Sequence, residues 1–350
     1  MLAGGDFRPL VSVQRKARGG TLSSMTEALL LTASDFRPLR EESGHILGAL
    51  DAVEEALRAV AEGRIRGQHV VDRVDGEFEG IRLALLAGEG LFSGLRIFGN
   101  PPNTRAFALF DGVSRALLAL MDYGVLNSLR VGATAGVAAR HLSPTGALCL
   151  GLIGSGWQAV TQVLAVQAAL PRLRRIRVFS PTPSHRRAFA ESMTERTGLE
   201  VEPVASVQEA LRDADVIDLC APGHHDVREP LFEPSWVRPG ALVISMAPNQ
   251  CRPEFVESAR LVAASWSTFS GEPEPRPPYK QLIADGRITE QGNFTALGTI
   301  ITGGAVPRRG SGDTVLYQLE GGTAQDLFVA TWGYQWAKAR GLGAAFDLSS

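Results

Sequence analysis

The stretch Ala147-Leu148-Cys149-Leu150-Gly151-Leu152-Ile153-Gly154-Ser155-Gly156-Trp157-Gln158-Ala159 constrains the fold of this chain more than any other. An apolar run rises into Gly-x-Gly-x-x-Ala and continues through Val160, Val163 and Leu164. This reads as a buried strand, a tight glycine turn and the start of a helix. Gly154 permits the turn, Gly156 leaves room for a pyrophosphate, and Ala159 lets the helix lie close on the strand. The freed amides and the helix N-terminus then hold phosphates. Glycine-rich turns also occur without ligands, and it is the flanking strand and helix that make this one specific for a dinucleotide. The expected cofactor contacts in the turn are Gly154, Ser155, Gly156, Trp157 and Gln158. The bulk of Trp157 in such a turn has no explanation in the sequence.

With 350 residues and 45% hydrophobic content, the chain can build two domains, or one inserted in another. The net charge of −2, with no basic stripe, argues against nucleic acid as a partner. Cys149, Cys220 and Cys251 lie far apart and form no C-x-x-C pair. That argues against a disulfide scaffold or a metal site and fits a reducing cytoplasm. No apolar run reaches ~18 residues, so no membrane span is expected. The basic N-terminus lacks the apolar segment of a secretory signal.

Asp6-Phe7-Arg8-Pro9-Leu10 recurs as Asp35-Phe36-Arg37-Pro38-Leu39, with Met25 before the second copy. Residues 1–24 are therefore expected to be a disordered extension, and the start, Met1 or Met25, stays open. Ile46, Leu47, Leu50, Val53, Leu57 and Val60 recur at helical spacing. Short strands are expected at 69–73, 80–86, 93–98, 105–111 and 116–121. Val125–Leu142 reads as a helix whose small residues, Gly132, Ala133, Ala135 and Gly136 among them, admit a cofactor or another helix. From Ala147 strands and helices alternate: strands at 148–153, 176–180, 201–204, 216–220, 241–246 and 261–264, helices at 184–197 and 206–212. The fold class is α/β: a Rossmann-type doubly wound parallel sheet, residues 144–298 with a Pro-rich linker at 271–278. It is inserted in a discontinuous α+β unit of residues 25–143 plus 299–350.

Three segments together resemble the ornithine cyclodeaminase/mu-crystallin family. They are Leu129-Arg130-Val131-Gly132-Ala133-Thr134-Ala135-Gly136, the turn Gly154-Ser155-Gly156-Trp157-Gln158-Ala159, and Gly321-Gly322-Thr323-Ala324-Gln325-Asp326-Leu327. The resemblance runs from about residue 27 to 343. It implies a nicotinamide cofactor acting on an amino acid or its imine, and a homodimer paired through the first unit's sheet. It adds Arg130, Thr134, Ala221 and Met246 to the cofactor contacts. It places the family's substrate-carboxylate arginine at Arg73, its catalytic lysine at Arg96 and its catalytic aspartate at Asn249. A carboxylate of the cyclodeaminases falls at Arg82.

The last three are departures with chemical consequences. Arginine stays charged and is a poor proton shuttle, although it clamps anions well. Asparagine cannot take a proton. Arg96 and Arg73 are expected to face the nicotinamide and bind a carboxylate, with Arg82 beside them, and Asn249 keeps only a hydrogen-bonding role. A replacement proton donor is sought in Cys220-Ala221-Pro222-Gly223-His224-His225, where His225 titrates near neutrality; a solvated loop histidine is the plainer alternative. At the end of the second strand Ser180 stands where NAD enzymes place an acid, followed by Thr182 and the basic His185, Arg186 and Arg187. This favours NADP(H), with NAD(H) possible. The leading reading is a reductase of an imine or keto form of an amino acid. The alternatives are an NADPH-binding protein with an altered site, and a lyase with internally recycled NAD.

Overall fold

A computed structural model describes residues 27–67, 86–88, 92–98, 105–221, 230–270, 277–319 and 321–347. The expectations for residues 1–24, Arg73, Arg82 and His225 lie outside the described residues.

The chain opens with β1 (Ala28–Leu31), α1 (Ala33–Glu41) and α2 (Ile46–Ala61). The second copy of the Asp-Phe-Arg-Pro-Leu repeat forms α1, which buries Phe36 and Leu39. Thr32 starts this helix, its backbone N–H and hydroxyl both donating to Asp35 at 2.7 Å. A two-stranded ribbon, β2 (Ile65–Gly67) and β3 (Leu86–Gly88), precedes the meander β4 (Phe92–Phe98), β5 (Arg105–Asp111) and β6 (Leu117–Asp122). Helix α3 (Gly124–Leu142) follows.

The alternating region then runs β7 (Cys149–Ile153), α4 (Trp157–Ala169), β8 (Arg175–Phe179), α5 (Pro183–Thr197), β9 (Glu200–Pro203), α6 (Val207–Leu211) and β10 (Val216–Leu219). It continues with β11 (Leu242–Ser245), α7 (Pro253–Ser258), β12 (Arg260–Ala263), α8 (Trp266–Ser270), α9 (Tyr279–Ala284), β13 (Phe294–Ala296), α10 (Leu297–Ile301) and β14 (Val315–Gln318). Helix α11 (Thr323–Lys338) and β15 (Ala344–Phe346) close the described chain.

The first sheet has the order β15-β1-β6-β5-β4. The second has the order β13-β12-β14-β11-β10-β7-β8-β9, with every adjacent pair parallel. From β7 the chain winds outward through β8 and β9, then crosses back to β10 on the other side of β7. The carboxyl ends of β7 and β10 therefore flank a topological switch point, where open α/β sheets bind ligands.

One expectation needs correction. The segment around 310–317 was assigned to the first unit, but β14 sits between β11 and β12 in the parallel sheet. All four of its residues are buried, so it is an interior parallel strand despite its glycine-rich approach. The expected linker at 271–278 lies mostly outside the described residues, and the core resumes directly after it: Tyr279 is fully buried, stacks on Phe269 at 4.4 Å and donates to Gln318 Oε1 at 2.8 Å.

One apolar cluster joins Leu31 and Phe36 beneath the first sheet, through α2, α3 and α4, to Leu150, Val178 and Tyr317 of the second. A separate cluster, with Ile217, Val243 and Phe255, covers the opposite face of the parallel sheet. The small residues of α3 are explained by α4. A Cβ on Gly132 would stand 2.5 Å from the Thr161 carbonyl oxygen, and one on Gly136 2.8 Å from that of Ala165. At the C-terminal end of α3, His141 and Arg140 reach Glu54 of α2, and these contacts hold the Glu54 carboxyl down to about 2.

Candidate active site

The two glycines of the turn after β7 have different jobs. Gly154 has φ +115°, and a Cβ there would lie 2.6 Å from the Cys220 carbonyl oxygen at the end of β10. The fold itself therefore requires glycine at 154. Its N–H donates to the Phe179 carbonyl at 2.8 Å, which ties the turn to β8. Gly156 caps α4 with extended backbone, and a Cβ there would meet nothing within 4 Å. That open space beside the first amides of α4 fits a dinucleotide pyrophosphate.

Ser155 Oγ donates to Ser180 Oγ at 2.8 Å. Arg186 lies over the Phe179 ring and donates to the Ser180 carbonyl at 2.9 Å. The end of β8 thus presents hydroxyls and a held guanidinium, and residues 180–187 contain no acid. Thr182 is exposed beside them.

Other expected cofactor contacts are structural as placed. Gln158 is buried and donates to the Ser128 carbonyl and to Thr161 Oγ1, joining α4 to α3. Thr134 is fully buried, and its hydroxyl donates to the Arg130 carbonyl at 2.8 Å. Ala221 follows β10, and its carbonyl accepts from Gln250 at 3.1 Å. Asn249 is half-buried in the turn Pro248–Gln250 that follows β11.

Arg96 and Arg130 meet in a buried cluster organised by a residue that the sequence reading had not singled out. Asp326, in the first turn of α11, accepts from Arg96 Nη1 on Oδ2 at 2.5 Å and forms an ion pair with Arg130, whose Nε lies 2.9 Å from Oδ1. Asn127 Oδ1 accepts from both guanidiniums, at 2.9 and 3.1 Å. The fully buried Tyr123 donates to the carbonyl and carboxylate of Asp326. Burial alone would raise the Asp326 carboxyl, but the two guanidiniums overcome it and hold the carboxyl below its usual value. A Cβ on Gly321 would lie 2.5 Å from Arg130 Nη1, so glycine lets Arg130 rest against the backbone. Arg96, expected to meet a substrate anion, already has an internal counter-ion in Asp326 and is buried. The signal for Asp326 lay in Gly321-Gly322-Thr323-Ala324-Gln325-Asp326, where glycines precede a carboxylate on a helix start.

A second buried carboxyl lies under the switch point. Asp218 of β10 is fully buried between the parallel neighbours Leu152 and Ile244. Burial pushes its pKa up to about 8, so it is a neutral acid at pH 7. The Gln162 side-chain amide lies 2.8 Å from both its oxygens. A neutral Asp218 donates to the amide oxygen, which leaves Gln162 Nε2 facing Met246 Sδ at 3.0 Å. An ionised Asp218 would instead require the amide nitrogen. Met246 also receives Cys220 Sγ at 3.7 Å, so the acid communicates with the ends of β10 and β11.

Residues 92–341 match the Ornithine cyclodeaminase/mu-crystallin family, and the chain belongs to that family. It is 23% identical over 351 residues to N-((2S)-2-amino-2-carboxyethyl)-L-glutamate dehydrogenase of Staphylococcus aureus, covering 92% of this chain and 99% of that one. It is 27% identical to the ketimine reductase mu-crystallin of Rattus norvegicus, covering 69% and 72%. Its fold is that of the Thermococcus litoralis Delta(1)-pyrroline-2-carboxylate reductase in complex with NADH and L-proline (TM-score 0.77, 24% identity, 90% and 99% coverage). It is also that of an archaeal alanine dehydrogenase dimer with bound NAD (TM-score 0.78, 23% identity, 92% and 99% coverage).

Two outcomes follow from this geometry. Gly156→Val should keep the melting temperature of the parent, because the position is open, yet lose binding of a nicotinamide dinucleotide, NADH or NADPH, by calorimetric titration. Unchanged affinity in the folded variant would remove the turn from the cofactor site. For Asp218, the folded state holds the proton from about pH 4 to about 8 while the unfolded state has released it. Stability is therefore lost as pH rises through that window, by at most about 1.4 kcal/mol per unit. Asp218→Asn is uncharged throughout, so its melting temperature relative to the parent should climb between pH 5 and pH 9. A constant difference would refute the neutral buried acid.

Proposed function

We propose that this protein is an NADPH-dependent reductase of an imine or keto form of an amino acid. The observation that carries the reading is the open glycine turn at the switch point, joined through Gln158 and Ser128 to the helix that bears Arg130. The bound nicotinamide supplies the hydride. Ser155, Ser180, Thr182 and Arg186 offer hydroxyls and a positive charge to a ribose 2′-phosphate, which supports NADPH over NADH. Arg73 and Arg82 are assigned to the substrate carboxylate from the sequence alone. Arg96 and Arg130, fixed by Asp326, set a positive field that favours the anionic substrate and charge developing on its heteroatom. Neither Arg96 nor Asn249 moves a proton, so water or His225 supplies it.

One observation favours a second reading. The buried, internally paired Arg96 suits a protein that binds NADPH without turnover. Both readings disfavour ornithine cyclodeamination, which in this family uses a lysine and an aspartate that are here Arg96 and Asn249. The test is NADPH loss with cyclic ketimines and with 2-oxo acid plus amine mixtures, beside ammonia release from ornithine with catalytic NAD. Stoichiometric NADPH loss, tighter NADPH than NADH binding and no ammonia are expected. Robust ammonia release would overturn the reductase, and tight NADPH binding without turnover would establish the second reading.

We further propose a homodimer through the outer face of the first sheet. Leu30, Leu120, Ala108 and Leu95 stand in one cross-strand row. Leu30 and Leu120 are 47% and 38% exposed, an apolar stripe that marks an interaction face. Sedimentation should give twice the chain mass, and Leu120→Arg should halve it. A parent monomer would refute the pairing.

A further inference from the structure

Successive side chains of a strand alternate between faces. Arg105 therefore shares the inward face of β5 with the fully buried Phe107 and Leu109. Its carbonyl accepts from the Tyr123 N–H at 2.7 Å, which places it directly beside the buried arginine cluster. Its guanidinium reaches past that cluster and lies over the ring of Trp157, 5.6 Å from the centroid. Trp157 is the first residue of α4 and is 59% exposed. Arg105 thus stands between the phosphate turn and the Arg96–Asp326–Arg130 group.

Asp326 is shared by Arg96 and Arg130. Asp122, a carboxylate whose charge acts on Arg105, accepts from the Gly124 N–H at 2.9 Å and makes no ion pair with Arg105 among the described residues. Burial and the like charges of Arg96 and Arg130 depress the Arg105 pKa, as in a cation still lacking its anion. A half-buried guanidinium held on an aromatic face loses little freedom when it takes a planar anion.

We propose that Arg105 receives a second carboxylate of the substrate and makes this a site for dicarboxylic 2-oxo acids or their imines. The inference rests on the reductase reading, in which Arg73 holds the first carboxylate. It also accounts for the bulk of Trp157: the indole is the platform that positions Arg105 over the site entrance.

The test compares 2-oxoglutarate with 2-oxopentanoate, equal in chain length and differing by one carboxylate, in calorimetric titrations of the NADPH-loaded protein. The diacid should bind at least about tenfold more tightly, the size of one charge-assisted contact. Arg105→Met should bring that ratio close to one, and Arg105→Lys should keep an intermediate ratio. A parent ratio near one, or a ratio unchanged in Arg105→Met, would overturn the proposal. So would an equal loss of NADPH affinity in Arg105→Met, because the anion would then be a cofactor phosphate. Binding is read without turnover. A protein that prefers the diacid but reduces no imine therefore retains the subsite and loses the reductase reading.

Discussion

The Asp326 carboxylate is the contact on which the candidate site depends. It joins β4, α3 and α11, which are far apart in sequence, by accepting from Arg96 and Tyr123 and pairing with the charge of Arg130. A buried charge pair is a weak source of net stability, because desolvation cancels most of the attraction. Its value here is positional. With Asn127 taking a further N–H from each guanidinium, both arginines are fixed in plane and direction before any ligand arrives. A preset positive field needs no reorganisation when negative charge develops beside it, and that is the property a hydride-transfer site requires.

The parallel sheet supplies the other half of the site by a separate route. Gly154 satisfies the fold, pressed against the end of β10, while Gly156 leaves the space above α4 open. Asp218 shows how tightly the region beneath is enclosed. A carboxyl in the middle of a buried strand survives by remaining neutral and bonding the Gln162 amide and the Cys220 thiol.

Much of this was legible in the sequence because it rests on local rules. The apolar run into Gly154-Ser155-Gly156 gave the strand, turn and helix that the structure contains, and the 3.6-residue period located α2 and α3. What was not legible depends on contacts distant in the chain. Nothing local marks Asp326 as the partner of Arg96, 230 residues away. The small residues of α3 were ambiguous between cofactor and helix until α4 was seen against them. β14 was misassigned because a short apolar strand carries no mark of the sheet it will join. Trp157 could be understood only once Arg105, from another sheet, was found over its ring.

The seam between α3 and α4 has a consequence for motion. Gly132 and Gly136 bring the helix that follows the first sheet into backbone contact with the helix that follows the phosphate turn. Helices meeting at that distance have no layer of side chains to shear, and any sliding would drive carbonyl oxygens into Cα atoms. The arginine cluster and the dinucleotide turn therefore travel as one rigid body. Access to the site falls to loops and single side chains at its entrance, and the protein does its work without a domain hinge at this seam.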